Sequence, residues 1–200
     1  LGLMSNQVWH DDPKRLGFVL ARYKFVAKML SGKSDVLEVG CADAFASRIV
    51  RQEVARLTVS DFDPVFIADV DARADAAWPL ETCLHNFVEK PMGRKFDAAY
   101  SVDVLEHIEL ADESRFLGNL VHSLLPGAVC IMGTPSIESQ VYASEGSKAG
   151  HVNCKTSEQL KETMSRYFQN VFMFGMNDEM IHVGYPRMCH YLFAVACGPR

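Results

Sequence analysis

Apolar residues at Leu16, Val19, Leu20, Tyr23, Val26, Ala27 and Leu30 recur at helical spacing, which predicts an amphipathic helix closed by Ser31-Gly32. Five short apolar stretches with strand character follow: Val36 to Val39, Leu57 to Ser60, Thr82 to His85, Ala98 to Ser101 and Ala128 to Met132. Most are separated by segments of helical pattern, at Phe45 to Glu53, Pro64 to Val70, and Asp112 to Leu124 before Pro126-Gly127. A further helix is predicted from Ser157 to Tyr167, capped near Thr156. Strands alternating with helices imply βαβ units and a parallel sheet. The pattern then changes: Val171 to Phe174 and Tyr191 to Cys197 are apolar with no helix between them, so two antiparallel neighbours should finish the sheet. Residues 134–155 are polar and too long for an ordinary connection, and read as a loop over a site. No internal repeat or linker divides the chain, so residues 1–12 are expected as a tail and 13–200 as a single domain.

Composition narrows the function classes. Twenty Lys and Arg against 25 Asp and Glu give a net charge of −5, and no basic cluster exceeds a dipeptide, so no nucleic-acid partner is expected. No apolar run reaches the ~18 residues of a membrane helix, so no membrane association is expected either. Six cysteines, at 41, 83, 130, 154, 189 and 197, form no C-x-x-C pair and follow no secretory segment. They read as reduced core residues of a cytoplasmic protein. A zinc set of His151, Cys154, Cys189 and His190 is the alternative, without a spacing that fixes its geometry.

The strongest chemical signal is Val36-Leu37-Glu38-Val39-Gly40-Cys41-Ala42-Asp43-Ala44-Phe45, a strand entering a small-residue turn that opens a helix. Small residues there allow a ligand to approach the backbone. The second strand ends at Asp61, in Ser60-Asp61-Phe62-Asp63-Pro64, where a carboxylate can accept from both hydroxyls of a ribose. The two features together describe a nucleoside-binding crevice.

At these residues the sequence resembles the class I S-adenosylmethionine-dependent methyltransferases, in the expected order along most of the chain. The family's E/D-x-G-x-G-x-G corresponds to Glu38-Val39-Gly40-Cys41-Ala42-Asp43-Ala44, with Ala42 and Ala44 where the family has glycine. The fourth strand and its exit, Phe96-Asp97-Ala98-Ala99-Tyr100-Ser101-Val102-Asp103-Val104-Leu105-Glu106-His107-Ile108, and the turn Leu125-Pro126-Gly127-Ala128 are similar to family segments. The resemblance implies a Rossmann-like, doubly wound α/β fold with a seven-stranded, mostly parallel sheet whose last strand is antiparallel. It further implies S-adenosylmethionine as methyl donor, with Glu38, Gly40 and Ala42 in the turn serving its methionine part. Asp61 would hold the ribose with Phe62 beside it, Asn86 and Phe87 the adenine, and Ser101 and Val102 would lie beside the sulfonium. A dinucleotide dehydrogenase would want glycine at 42 and a small residue at 45, where Ala42 and Phe45 stand.

Methyl transfer to a hydroxyl needs alignment and removal of one proton. His151, in the long segment after the fifth strand, is the candidate catalytic base. The expected acceptor is a small-molecule or sugar hydroxyl; an amine acceptor, or a non-catalytic binding module permitted by Ala42 and Ala44, are the alternatives. Asp103, Glu106 and His107 with His151 also resemble the metal-ligand set of ubiquinone-pathway and small-RNA O-methyltransferases, but no metal ligand is assigned on that resemblance. Two further groups are candidates to border the acceptor: Asn177, Asp178, Glu179 and His182, which also read as a hairpin turn, and Trp9, His10, Arg15, Arg22 and Tyr23 near the start, where an Arg could meet a carboxylate or phosphate.

Overall fold

The computed structural model describes residues 1–200. Eight strands form one sheet: β1 (Asp35–Val39), β2 (Arg56–Asp61), β3 (Glu81–Leu84), β4 (Phe96–Val102), β5 (Leu124–Pro135), β6 (Phe168–Asn177), β7 (Met180–His182) and β8 (Tyr191–Pro199). Their spatial order is β3-β2-β1-β4-β5-β8-β6-β7. Strands β1 to β5 pair in parallel, and β8 runs antiparallel between β5 and β6. The order reverses direction at β1, and this is where an open α/β sheet forms a crevice at its carboxyl ends.

Seven helices accompany the sheet: α1 (Leu3–Asp11), α2 (Lys14–Met29), α3 (Ser47–Arg51), α4 (Pro64–Ala72), α5 (Leu110–His122), α6 (Glu145–Gly150) and α7 (Ser157–Ser165). Side chains alternate across each strand, so β8 sends Phe193 and Val195 to one face and Leu192, Ala194 and Ala196 to the other. The first face is covered by Tyr23, Val26, Ala27 and Leu30 of α2 with Val50 of α3. The second is covered by Phe116, Leu117 and Leu120 of α5 with Leu160 and Met164 of α7. The predicted stripe of α2 is therefore the buried face, except that Leu20 lies outside it, exposed. Thr156 caps α7 through Gln159 in a reciprocal capping box, which satisfies two otherwise orphaned N–H groups.

Four departures from the expected layout have physical causes. The sheet has eight strands because the chain between β6 and β8 folds back as β7, pairing Asn177 with Met180 across the turn Asp178-Glu179. The β5 pairing begins at Leu124, and Pro126-Gly127 form an irregularity opposite Asp97 before register resumes at Val129. Residues 134–155 are not a bare loop: they hold a 3-10 turn at Glu138–Tyr142 and helix α6, tied back by the bridge of Ser136 to Lys155. The expected tail carries α1, anchored where the backbone N–H and hydroxyl of Ser5 donate to Asp43 at 2.6 and 2.7 Å.

Candidate active site

The crevice is built first by the turn after β1. Gly40 and Cys41 donate their N–H groups to the Ser60 carbonyl at 2.8 and 3.0 Å, pinning the turn to the end of β2. Gly40 has φ +74°, and a Cβ there would lie 2.3 Å from Cγ2 of Val104. Ala42 and Ala44 occupy the left-handed region as well, at φ 45° and 49°. Alanine holds this left-handed conformation at a steric cost of about 1–2 kcal/mol at each position. Ala42→Gly is expected to raise the thermal midpoint by about 1–3 °C, the relieved strain exceeding the added chain entropy. Ala44→Gly should be nearly neutral because the Ala44 methyl is buried and its packing is lost; thermal melts of both variants check this contrast.

Asp61 ends β2, buried, with Oδ2 accepting from Ala42 N–H at 2.9 Å and Oδ1 from Asp63 N–H at 3.0 Å. Phe62, next to it, is 73% exposed, so its ring is available as a stacking surface. Asn86 closes a local turn, accepting from Val88 N–H and donating to Glu89. Ser101 is buried and donates to the Val39 carbonyl at 3.0 Å, joining β4 to β1 where both strands end, and Val102 is buried beside it.

Two residues assigned to the cofactor have side chains that point elsewhere. The Phe87 ring is core, packed against His85 and Phe116, because the chain after β3 turns inward over α5. Glu38 lies within the sheet's covered face, where Tyr23 donates to Oε1 at 2.7 Å and Tyr100 to Oε2 at 2.6 Å. It ties β1 to α2 and β4. Burial pushes its carboxyl up to about 7, against hydrogen bonds that act the other way. In the unfolded chain this group titrates near 4.5, so its contribution to stability is complete below that value and is lost as pH rises through about 7. Glu38→Gln cannot ionise and should shrink the fall in thermal midpoint between about pH 5 and about pH 8. Melts across that range read the change in slope.

Beyond β4 lies a second cluster. His107 Nδ1 is 2.8 Å from the Gly150 carbonyl, and His151 Nδ1 is 2.7 Å from Oε1 of Gln140. Gln140 is itself oriented, since its Nε2 donates to the Ser136 carbonyl at 3.1 Å. Both partners of the imidazoles are therefore acceptors, so each histidine carries a proton on Nδ1, and in the neutral imidazole the lone pair is on Nε2. Burial, then His107, lowers the His151 pKa below its ordinary value. The ligating atoms of Glu106, His107 and His151 lie within 4.8 Å of one another, and none of the cysteines belongs to this group. Glu106 is buried, accepts from Thr134 at 3.2 Å, and is pushed up in pKa by burial and then by Asp103. Asp103 does not join that cluster; Arg22 holds it at 2.7 Å.

Sequence pattern alone missed Gln140 and Tyr191, which carry no local signal. Asn177 and His182 bond to each other at 2.8 Å across the β6–β7 hairpin, and Asn177 also donates to the Met188 carbonyl, so this group holds a turn together. Trp9, His10 and Arg15 are exposed on α1 and α2, whereas Arg22 and Tyr23 turn inward.

A family profile described as a methyltransferase domain matches residues 37–130. A probable S-adenosylmethionine-dependent methyltransferase of Mycolicibacterium smegmatis is 29% identical over 116 residues, covering 57% of this chain and 42% of that protein. The match thus spans less than half the length of that relative. Among solved structures, the fold is similar to the N-methyltransferase NodS from Bradyrhizobium japonicum WM9 in complex with S-adenosyl-L-homocysteine, with TM-score 0.68, 19% identity, and 96% and 91% of the two chains covered. It is also similar to a putative Haloferax volcanii methyltransferase in complex with the activator Trm112, with TM-score 0.71, 14% identity and 98% of each chain covered. A third similar fold is that of magnesium protoporphyrin IX methyltransferase from Synechocystis PCC 6803, with TM-score 0.66, 15% identity, and 92% and 83% covered.

Proposed function

We propose that the chain is a class I S-adenosylmethionine-dependent methyltransferase and transfers a methyl group from S-adenosylmethionine to the hydroxyl of a small molecule or sugar, a reading supported by its similarity to a methyltransferase-domain profile over residues 37–130. The residues at the crevice suit that donor: a carboxylate at the end of β2, the exposed Phe62 ring beside it, and a tight turn at Gly40 with no side chain of its own. When bound, S-adenosylmethionine supplies a methyl group activated on a sulfonium sulfur. Asp61 holds the ribose hydroxyls, the turn from Gly40 to Ala44 receives the methionine part, and Asn86 and Phe62 border the adenine. Ser101 and Val102 shape the floor between donor and acceptor.

One observation favours a hydroxyl acceptor over an amine: Gln140 fixes the His151 proton on Nδ1, which leaves Nε2 as a base for a hydroxyl proton. Residues 134–155 then cover the acceptor. Calorimetric titration with S-adenosylmethionine and S-adenosylhomocysteine, with Asp61→Ala as control, tests the donor; a panel of hydroxylated and amine acceptors followed by mass spectrometry tests the acceptor. Binding by the native chain that the control loses, with a mass gain on hydroxyl acceptors only, is expected. Mass gain confined to amines would select N-methylation instead.

A second reading has its own observation, since Glu106, His107 and His151 converge with both imidazole lone pairs unshared. Carboxylate and imidazole ligands suit a divalent ion, which would hold an acceptor diol and acidify it. Activity abolished by a chelator and restored by Mg²⁺, Mn²⁺ or Zn²⁺ would select this reading over the unassisted base.

A further inference from the structure

We infer that the buried ion pair of Glu113 and Lys155 is a positioning device for the acceptor side of the site: it clamps the base of residues 136–155 to α5 and so fixes the segment that carries Gln140 and His151. The inference rests on the reading of His151 as the base. Lys155 Nζ lies 2.6 Å from Glu113 Oε2, and the two side chains are 8% and 10% exposed. No other ion pair of the chain has both partners buried. Asn153, itself buried, closes the network: its Oδ1 accepts from Lys155 Nζ at 3.0 Å, and its Nδ2 donates to the same Glu113 oxygen at 2.8 Å.

Lys155 acts through both its backbone and its side chain. Its carbonyl accepts from Ile137 N–H at 3.0 Å and Ser136 bridges to it, so the two ends of the excursion meet at this residue. Its side chain carries that closed end to Glu113 on α5. The next residue, Thr156, caps α7, which fixes the exit. Beside the clamp, the N–H groups of Val152 and Asn153 both donate to the Glu106 carbonyl, at 2.8 and 3.0 Å. His151 stands directly before this anchor, and Gln140 stands just inside the other end. From Ile137 to Val152 no residue is buried, so the segment has no core of its own and its placement depends on its base.

Charge is a costly filler for such a place. Lys and Glu are rarely buried, and an apolar pair of similar volume avoids their desolvation. What the charges supply is direction, because a polar network whose members all find partners holds one arrangement. Direction matters here, since a displacement of about 1 Å at a reacting group costs about 10²-fold in rate.

The test begins without an acceptor, by hydrogen exchange followed by NMR. In the native chain the amides of Ile137, Val152 and Asn153 should exchange at least about tenfold more slowly than those of Lys148 and His151, which are bonded only within the excursion. Lys155→Met keeps the length of the side chain and removes its charge. Exchange at the three base amides should then quicken by about 10- to 100-fold, with the amides of β1 and β4 within about twofold of native. S-adenosylhomocysteine affinity should stay within about twofold. For the hydroxyl acceptor selected by the panel above, kcat should fall by about 10- to 100-fold and KM change by less than about threefold. Lys155→Arg keeps the charge and the donors and should restore slow exchange and kcat to within about threefold of native. Should Lys155→Met not fold, Glu113→Gln keeps the shape and the contact with Asn153 and should show the same pattern at smaller amplitude. Base amides that exchange as fast as those of α6 in the native chain, a Lys155→Met variant indistinguishable from native, or protection lost equally in β1 and β4 overturns the inference. A native chain that protects the base yet methylates no hydroxyl overturns the reading of His151 rather than the clamp.

Discussion

Replacing His151 with glutamine is expected to lower methyl transfer to a hydroxyl acceptor by about 10²- to 10⁴-fold, the usual contribution of a positioned base. Affinity for S-adenosylhomocysteine should stay within about twofold, because no residue that borders the donor touches this imidazole. The expectation follows from the chain Ser136 carbonyl, Gln140 amide, His151 Nδ1, which sets one tautomer and leaves Nε2 to act. Burial and the neighbouring His107 hold the His151 pKa below its ordinary value, so the base is already unprotonated at neutral pH. Activity should therefore rise with pH only below that ordinary value and be flat above it. Single-turnover rates across pH measure this limb, and its persistence in His151→Gln would remove His151 from the mechanism. A loss of less than about tenfold would point to an amine acceptor, which needs no strong base.

Gly40→Ala should be the most damaging change in the donor turn. The new methyl would sit 2.3 Å from Val104 Cγ2, and Gly40 has φ +74°. Valine is stiff about χ1 and cannot swing aside freely. Left-handed strain of about 1–2 kcal/mol adds to overpacking of about 1–3 kcal/mol, for a loss near 3 kcal/mol. For a domain of this size that lowers the thermal midpoint by about 6–12 °C. Donor affinity should fall with it, since the turn must shift. The double variant Gly40→Ala, Val104→Ala separates the two causes: recovery of roughly half the loss assigns that share to the contact. No recovery would place the whole cost in the backbone.

The contrast between Gly40 and Ala42 also shows where local pattern suffices. A strand of Val36 to Val39 followed by small residues, and a second strand ending in Asp61, are readable because strand periodicity and turn chemistry act over a few neighbouring residues. The order of helices and strands followed in the same way, including the antiparallel end of the sheet. The short β7 was not legible: its three residues have too little pattern, and it exists only because β6 offers an edge to pair with.

Side-chain direction divides the site along the same line. Glu38 and Phe87 stand at motif positions, yet one is claimed by Tyr23 and Tyr100 and the other by His85 and Phe116. Gln140, which sets the tautomer of His151, comes from a segment whose polar composition announced only a loop. The ion pair of Arg22 with Asp103 joins residues 81 positions apart, and Tyr191 reaches Asp103 across 88. Spacing along the chain determined which residues share a strand, a turn or a helix face, because those relations repeat every two or 3.6 residues. Which buried groups meet was decided only when the sheet set β1, β4, β5 and β8 side by side beneath α2, since a buried donor or carboxylate takes whichever partner packing brings within reach.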